Sequence, residues 1–492
     1  MRMGWKNRFT STPLLVLFIV LVSIGVGTAS ALITITLSGD VIITGGLDMT
    51  SDKITNVGVP TENADAATKG YVDSSPATDT LALLGCTIDQ IAKYDGNNWV
   101  CVSDDDTLTS IGCSVNELAQ FDGNNWVCVK LVVKNNPISI IDNTGIVGLY
   151  TSVAIGADDN PVISYYDETT QDLKVVHCGN TLCSTGNTIT TVDSTDNVGQ
   201  YTSMAIGADD NPVISYYYLP GGDLKVVHCG NTLCSTGNTI TTVDSTGSVG
   251  IYSSIAIGSD NNPVISYTDQ SLGDLKFVHC GNTSCSSGNN VITLDSANVT
   301  GTFTSMAIGA DGNPVISFFD STNSDLKVVH CGDTICSSGN SITTVDSNDD
   351  VGLYTSIAIG VDGNPVISYY AKAPNFDLKV VHCGDISCST GNIINTIDST
   401  GIVGWNTSIA IGPDNNPVIS YYDSTNDDLK VVHCGDISCS TGNTIEILDS
   451  DGLVGDYTSI AIGSDSNPVI SYYDETNGNL KSIVDGKVVT FE

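Results

Sequence analysis

Histidine and cysteine recur together in the pattern His-Cys-Gly-x-x-x-Cys, and these are the residues of the chain best suited to chemistry. Six copies are present, and they contain all six histidines. A metal site would take one imidazole and two thiolates from a copy, but it would need a fourth ligand and reduced sulfur. A disulfide needs neither. We predict one disulfide in each copy, at Cys178–Cys183, Cys229–Cys234, Cys280–Cys285, Cys331–Cys336, Cys383–Cys388 and Cys434–Cys439.

Two further groups of charged residues recur. A lysine follows Asp-Leu in most copies, and we expect it to pair with the aspartate two positions earlier, as Lys174 with Asp172. The second group is the aspartate of a Gly-x-Asp-x-Asn-Pro turn, whose side chain favours turns by bonding its own backbone. Calcium is the alternative for this carboxylate, and it is the one cofactor considered. The ion takes about six to eight oxygens, whereas one turn supplies fewer. The candidates are Asp158, Asp209, Asp260, Asp311, Asp362, Asp414 and Asp465.

The charge balance excludes several functions. Acidic residues number 55 against 17 basic ones, which gives a formal net charge of −38 and excludes nucleic acid as a partner. The arginines are Arg2 and Arg8 alone, so the ring described below has no guanidinium to clamp a carboxylate. That disfavours a sialidase. A repeated histidine is also not the asymmetric base of a catalytic site, and we predict that the protein is not an enzyme.

A period of about 51 residues indicates the fold. Asn-Pro begins at Asn160, Asn211, Asn262, Asn313, Asn364, Asn416 and Asn467. Each repeat holds four short β-branched runs between turns, for example residues 151–155, 161–166, 173–177 and 189–193. Closing seven such sheets into a ring removes exposed edges. We therefore predict an all-β fold, with residues 136–492 as a seven-bladed β-propeller of four-stranded blades. Either residues 138–142 or residues 487–492 should complete the last blade.

The repeat also resembles a known family. Units reading Tyr-Thr-Ser-Ile-Ala-Ile-Gly-x-Asp-Gly-Asn-Pro-Val-Ile-Ser-Tyr-Tyr-Asp resemble the β-propeller repeats of secreted prokaryotic surface proteins. The resemblance implies the fold and leaves the activity open, because propellers carry many functions.

The N-terminal region predicts export. Basic residues precede an apolar run at residues 14–27 and the small-residue site Ala29-Ser30-Ala31, so residues 1–31 are predicted to be a signal peptide, with a signal anchor as the alternative. The predicted location is secreted or cell surface, where disulfides persist. Residues 47–73, within a stalk segment at 32–80, resemble a motif of phage tail fibres. That resemblance implies an elongated homotrimer.

Residues 81–130 complete a small β-rich stalk that contains disulfides. Two copies of a hairpin pattern are each built around Asp-Gly-Asn-Asn. Their cysteines are placed to form Cys86–Cys101 and Cys113–Cys128.

A binding site should lie where the repeat is irregular. The loops after the second strands vary most, and one of them carries the single inserted residue of the array. We expect the next turn between blades to carry Trp405. We expect Lys372, Phe376, Trp405 and Tyr218 to share a rim that suits a sugar or a peptide, with neutral variation of exposed loops as the alternative. The predicted function is a non-enzymatic exported surface protein whose propeller mediates adhesion to, or recognition of, a glycan or protein at a cell surface. A glycoside hydrolase, with two carboxylates in one pocket, and a structural surface-layer component are the alternatives.

Overall fold

The computed structural model describes residues 90–94, 99–103, 117–121, 126–297 and 299–491, with side chains described at 136–297 and 299–486. The predicted signal peptide, the fibre-like segment and the side chains of Cys86, Cys101, Cys113 and Cys128 lie outside these residues. Strands and turns make up the described chain, and no helix in it is long and apolar enough to cross a membrane. Contacts divide the chain into two compact units, Met1–Lys134 with Val489–Glu492, and Asn135–Val488.

The first unit contains most of two small sheets. Gln90–Tyr94 pairs with Trp99–Ser103 in a two-stranded sheet. A three-stranded sheet contains Glu117–Phe121, Trp126–Asn135 and the C-terminal strand Lys487–Phe491.

The second unit consists of seven four-stranded antiparallel sheets, which confirms the predicted seven-bladed propeller. The first strands of blades 1 to 7 are Val147–Ile155, Val198–Ile206, Val249–Ile257, Thr302–Ile308, Val351–Ile359, Val403–Ile411 and Val454–Ile462. The second strands are Pro161–Asp167, Pro212–Tyr218, Pro263–Asp269, Pro314–Asp320, Pro365–Ala371, Pro417–Asp423 and Pro468–Asp474. The third strands are Asp172–His177, Asp223–His228, Asp274–His279, Asp325–His330, Asp377–His382, Asp428–His433 and Asn479–Val484. The fourth strands are Thr188–Asp193, Thr239–Asp244, Asn290–Asp295, Ser341–Asp346, Ile393–Asp398, Thr444–Asp449 and Ile138–Asp142.

The ring is closed by the N-terminal side of the unit. Ile138–Asp142 pairs with Asn479–Val484 and completes blade 7. The C-terminal strand Lys487–Phe491, which was the other candidate, belongs to the three-stranded sheet of the first unit. Blade 7 is therefore held together by a seam without a covalent connection between its third and fourth strands.

The second strand of each blade is buried on both faces, because a neighbouring blade covers each side. In blade 1 every residue of Pro161–Asp167 is buried, and the Tyr165 side chain is fully enclosed. A run of Val-Ile-Ser-Tyr-Tyr suits this position, since β-branched and aromatic residues favour strands and bring a large apolar area.

The first strands are innermost, and each carries a register shift near its start. In blade 2 the pairing is irregular on both sides of Gln200, and Tyr201 has a left-handed φ of 53°. Gly199 has a φ of 102°, and a Cβ on it would lie 2.8 Å from the Leu173 Cα of blade 1. Glycine is required there both by the backbone and by the close approach of the two blades.

A buried polar clamp joins consecutive blades. Asp193, at the end of blade 1, accepts hydrogen bonds from the Tyr216 hydroxyl at 2.8 Å and from Lys225 Nζ at 3.1 Å, both in blade 2. Lys174 likewise pairs with Asp142 at 3.7 Å and with Asp167 at 2.6 Å. The predicted pairing of each lysine with the aspartate two positions earlier is therefore wrong. The lysines instead pair with aspartates on the neighbouring strand and in the preceding blade.

The cysteines of the repeats form the six predicted disulfides, and none of the cysteines with described side chains is free. The metal interpretation of these residues is thereby excluded, since a disulfide offers no thiolate. Each bridge closes the loop between a third and a fourth strand. Blade 7 has no such loop, because its fourth strand comes from residues 138–142.

Candidate functional site

The turn aspartates lie on the same face of the ring as the disulfide loops. Their carboxylates bond to residues of their own repeats. Asp260 Oδ1 accepts the Asn262 backbone N–H at 3.1 Å, and Oδ2 accepts the Asn262 side-chain amide at 2.8 Å. His279 Nε2 lies 3.0 Å from the same Oδ2. Among the described residues no group of three or more His, Cys, Asp or Glu is placed to hold a metal ion. These contacts give the aspartates a structural role in the turn.

The histidine of blade 6 differs from the other five. His433 Nε2 lies 2.6 Å from Asp485 Oδ2 in blade 7 rather than beside a turn aspartate of its own blade. The hydrogen bond to this carboxylate raises the pKa of His433. The other five histidines pair with the turn aspartates of their own repeats.

The irregular residues of blades 5 and 6 meet in one cavity of about 280 Å³ between these blades. Backbone hydrogen bonds fix its rim. The Lys372 N–H donates to Asp350 O at 2.7 Å, and the Val403 N–H donates to Phe376 O at 3.0 Å. The loop after the second strand therefore lies against the loops that precede the first strands, on the face opposite the disulfides. The cavity is lined by Leu353, Tyr354, Tyr370, Lys372, Phe376, Ile402 and Trp405.

Trp405 does not lie in a turn between blades, as the sequence suggested, but within the first strand of blade 6. It occupies the strand position of Leu353 in blade 5, and Asn406 takes the place of the ring-lining tyrosine. The indole stacks on Tyr354, with ring centroids 5.9 Å apart and planes 25° apart, and meets Tyr370 edge-on at 6.0 Å. The tryptophan thus packs against two tyrosines of blade 5 and forms one wall of the cavity.

Two buried polar atoms without hydrogen-bond partners lie beside this apolar site. Trp405 Nε1 is buried and makes no well-formed hydrogen bond with a described residue, although the Tyr370 hydroxyl lies close to it. Asp350 Oδ1 is also buried without a partner, while Oδ2 lies 3.8 Å from Lys372 Nζ. The site therefore combines an unused donor and an unused acceptor with aromatic walls.

Tyr218 lies elsewhere. It ends the second strand of blade 2, where its ring lies under Lys225 Nζ at 4.8 Å and its hydroxyl donates to Asp196 Oδ2 at 3.2 Å. The expected rim therefore contains Lys372, Phe376 and Trp405 but not Tyr218. The tyrosine stands where five other blades have the second aspartate of the lysine clamp.

A second cavity, of about 180 Å³, lies on the axis of the ring. Aromatic rings from neighbouring first strands surround it, with centroids 4.4 to 4.7 Å apart in consecutive pairs. Asn406 interrupts this ring and donates its side-chain amide to Asp456 Oδ1, which also accepts the Tyr457 N–H at 3.0 Å. Burial raises the pKa of Asp456 to about 6.

Sequence reasoning missed four of the seven residues that line the cavity. Leu353, Tyr354 and Tyr370 occupy ordinary repeat positions, so a search for irregular residues discards them. Asp456 did carry a signal, since six blades have an uncharged residue at its position.

No known protein family and no curated protein matches this chain. Solved structures with a similar fold include the BP39L lectin of Burkholderia pseudomallei, at a TM-score of 0.49 and 11% identity over 70% of this chain and 98% of that one. A protein of unknown function from Dyadobacter fermentans gives 0.44 and 11% over 72% and 98%. The NanB sialidase of Streptococcus pneumoniae gives 0.41 and 9% over 72% and 70%. At these identities the likeness concerns the fold alone.

Proposed function

We propose that the propeller is a non-enzymatic recognition head that binds one ligand, in the cavity between blades 5 and 6. The observation that carries the proposal is the meeting of Lys372, Phe376 and Trp405 in one aromatic cavity. Concave sites with apolar walls and a few polar groups are where small ligands bind. The site occurs once in the ring, since the Trp405 position holds Leu149, Gln200, Ile251, Thr302, Leu353 and Asp456 in the other blades.

A hydrolase receives less support from the same geometry. A glycosidase needs two carboxylates about 5 to 9.5 Å apart in one pocket. Among the described residues no pair of carboxylates lines either cavity, and Asp350, which lies 3.8 Å from Lys372 beside the cavity between blades 5 and 6, is a single carboxylate. A purely structural surface-layer role leaves the aromatic cavity without a purpose. Adhesion outside the cell accords with the six disulfides, which persist in oxidising compartments.

Binding of the full chain to a printed array of neutral and acidic glycans tests the proposal. Leucine is tolerated at the Trp405 position because blades 1 and 5 carry it there, so Trp405→Leu should fold normally. We expect it to lose at least about tenfold in affinity for every glycan that the native chain binds, as expected for a truncated aromatic anchor. Ile251→Leu, at the same strand position of blade 3, is the matched control and should bind like the native chain. Equal binding by Trp405→Leu would remove the site.

A further inference from the structure

We infer that the unit held between blades 5 and 6 is an uncharged sugar ring, whose hydroxyl groups pair with Trp405 Nε1 and with the Asp350 carboxylate. The inference rests on the proposed function and specifies the class of ligand. It begins from the two buried polar atoms beside the cavity that have no described partner, a donor and an acceptor.

An unpaired buried polar atom is costly, so its place beside a cavity indicates a group that arrives with the ligand. The indole N–H requires an acceptor, whereas the carboxylate oxygen requires a donor. A hydroxyl group is both, and a sugar carries several on one ring. Carboxylates or amines alone would satisfy one of the two atoms and leave the other unpaired.

Comparison with other blades identifies a third polar group that lacks its usual partner. The Tyr166 hydroxyl donates to Asn197 Oδ1 of the next blade at 3.0 Å, and the Tyr217 hydroxyl lies 3.1 Å from Ser248 Oγ. Tyr370 is the equivalent tyrosine of blade 5, and Ile402 stands where its partner would be. The Tyr370 hydroxyl therefore lacks the contact to the next blade that Tyr166 and Tyr217 make, and Trp405 Nε1 lies beside it.

The walls and the charge favour a neutral ligand. Six of the seven lining residues are aliphatic or aromatic, and flat aromatic rings match the C–H faces of a pyranose. Lys372 is the one cation of the lining, and Asp350 lies 3.8 Å from it and compensates its charge. The net charge of −38 repels anions at long range, and the ring has no arginine to offset this repulsion.

The size of the site favours one ring over an extended chain. A cavity of about 280 Å³ lies just below the range of roughly 300 to 1,000 Å³ that holds drug-sized ligands. An extended peptide would also need a free strand edge for its backbone. The strand that bears Tyr370 is paired on both sides, and the free edge of the strand that bears Leu353 faces the axis of the ring. Binding of a peptide instead is an outcome of the test below.

The test compares neutral hexose-terminated oligosaccharides with sialic-acid- and uronate-terminated ones, together with a library of unmodified peptides, by titration of the full chain. We expect binding of neutral oligosaccharides and no preference for acidic ones. Trp405→Phe keeps an aromatic wall and removes the N–H, and it should weaken binding about fivefold to twentyfold, as should Asp350→Leu. Tyr217→Phe in blade 2 is the matched control for Tyr370→Phe, and only the latter should weaken binding.

Preferential binding of acidic oligosaccharides that Lys372→Gln abolishes would overturn the inference and leave the proposed function intact. The same holds for capture of peptides alone, or for a Trp405→Phe variant that binds like the native chain while Trp405→Leu does not. If Trp405→Leu binds like the native chain, the proposed function itself fails.

Discussion

Phe318 is the one residue at its position that cannot take part in the clamp between blades. The other six blades bury a tyrosine there, and its hydroxyl donates to an aspartate of the preceding blade, as Tyr216 does to Asp193 at 2.8 Å. The aspartate that faces blade 4 is Asp295, at the end of blade 3. Of the two donors of the clamp it retains only the lysine, with Lys327 Nζ at 3.4 Å. One clamp of the ring therefore lacks a hydrogen bond.

Phe318→Tyr should supply this hydrogen bond and raise the free energy of unfolding by about 1 kcal/mol, the net contribution of a typical hydrogen bond. Urea denaturation measures the change. Tyr369→Phe, at the same position of blade 5, is the matched reverse substitution and should lower stability by about 1 to 2 kcal/mol. A destabilised Phe318→Tyr variant would show that blade 4 has no room for the hydroxyl and that the clamp is not transferable.

Asp456 gives a prediction about pH. Burial raises its pKa from about 3.8 to about 6 in the folded protein. Between about pH 4 and pH 6 the Asp456 carboxyl group keeps its proton in the folded state and loses it in the unfolded state. The free energy of unfolding therefore falls as pH rises through this range. Asp456→Asn removes the titration and keeps an oxygen acceptor. The free energy of unfolding of this variant, relative to that of the native chain, should rise by about 2 kcal/mol between about pH 4 and pH 6. The difference should then stay constant at higher pH.

Urea denaturation of both chains at pH 4, 5, 6 and 7.5 measures the difference. The comparison isolates Asp456, since every other carboxylate is common to the two chains. A difference that does not change with pH would contradict the raised pKa.

At the scale of strands and loops, the disulfide loop is a connection rather than a part of the blade core. It occurs in the six blades whose third and fourth strands follow each other in the chain, and blade 7 is complete without one. Replacing Cys229 and Cys234 together by alanine should therefore leave the ring intact. The chain-entropy effect of so short a loop predicts a loss of roughly 2 kcal/mol.

Urea denaturation of the double variant measures this loss, and amide hydrogen exchange shows where it acts. Protection should fall in the loop of blade 2 and remain in Val198–Ile206. Loss of protection throughout the ring would mean that the loop is needed for blades to associate.

The strands were predictable, and their contacts across blades were not. A run such as Val-Ile-Ser-Tyr-Tyr specifies a buried strand by its composition alone. The partners of Lys174 could not be found in this way, because Asp167 lies on the neighbouring strand and Asp142 in another blade, while Asp172 is nearer in the chain than either. Trp405 was assigned to a turn for a related reason. The register shift that places it in a first strand depends on backbone geometry at Asn406, whose φ is 48°.

For the whole molecule, a fixed period predicts both the ring and the places where it is irregular. The period predicts a binding site less well, because a cavity between two blades is lined both by irregular residues and by residues that the repeat conserves from blade to blade. Lys372 and Trp405 are irregular and were found, whereas Tyr354 and Tyr370 are regular and became part of the site only through their neighbours. Tyr218 is irregular and lies in another blade. Irregularity shows where to look, and the geometry decides which residues meet.

The seam of blade 7 gives the last prediction. Ser139 lies directly opposite Ser482 across it, so Ser139→Cys with Ser482→Cys is placed to bridge the two strands. Val226 and Thr241 are the equivalent opposed pair in blade 2, whose strands a short loop already joins. A disulfide that closes a long loop restricts the unfolded chain more than one that closes a short loop. The seam bridge should therefore stabilise by about 3 kcal/mol more than the bridge in blade 2, each measured in urea relative to its two single-cysteine variants. Equal gains would contradict this loop-length argument and would mean that the seam bridge strains the folded ring or that the unfolded chain keeps residual structure.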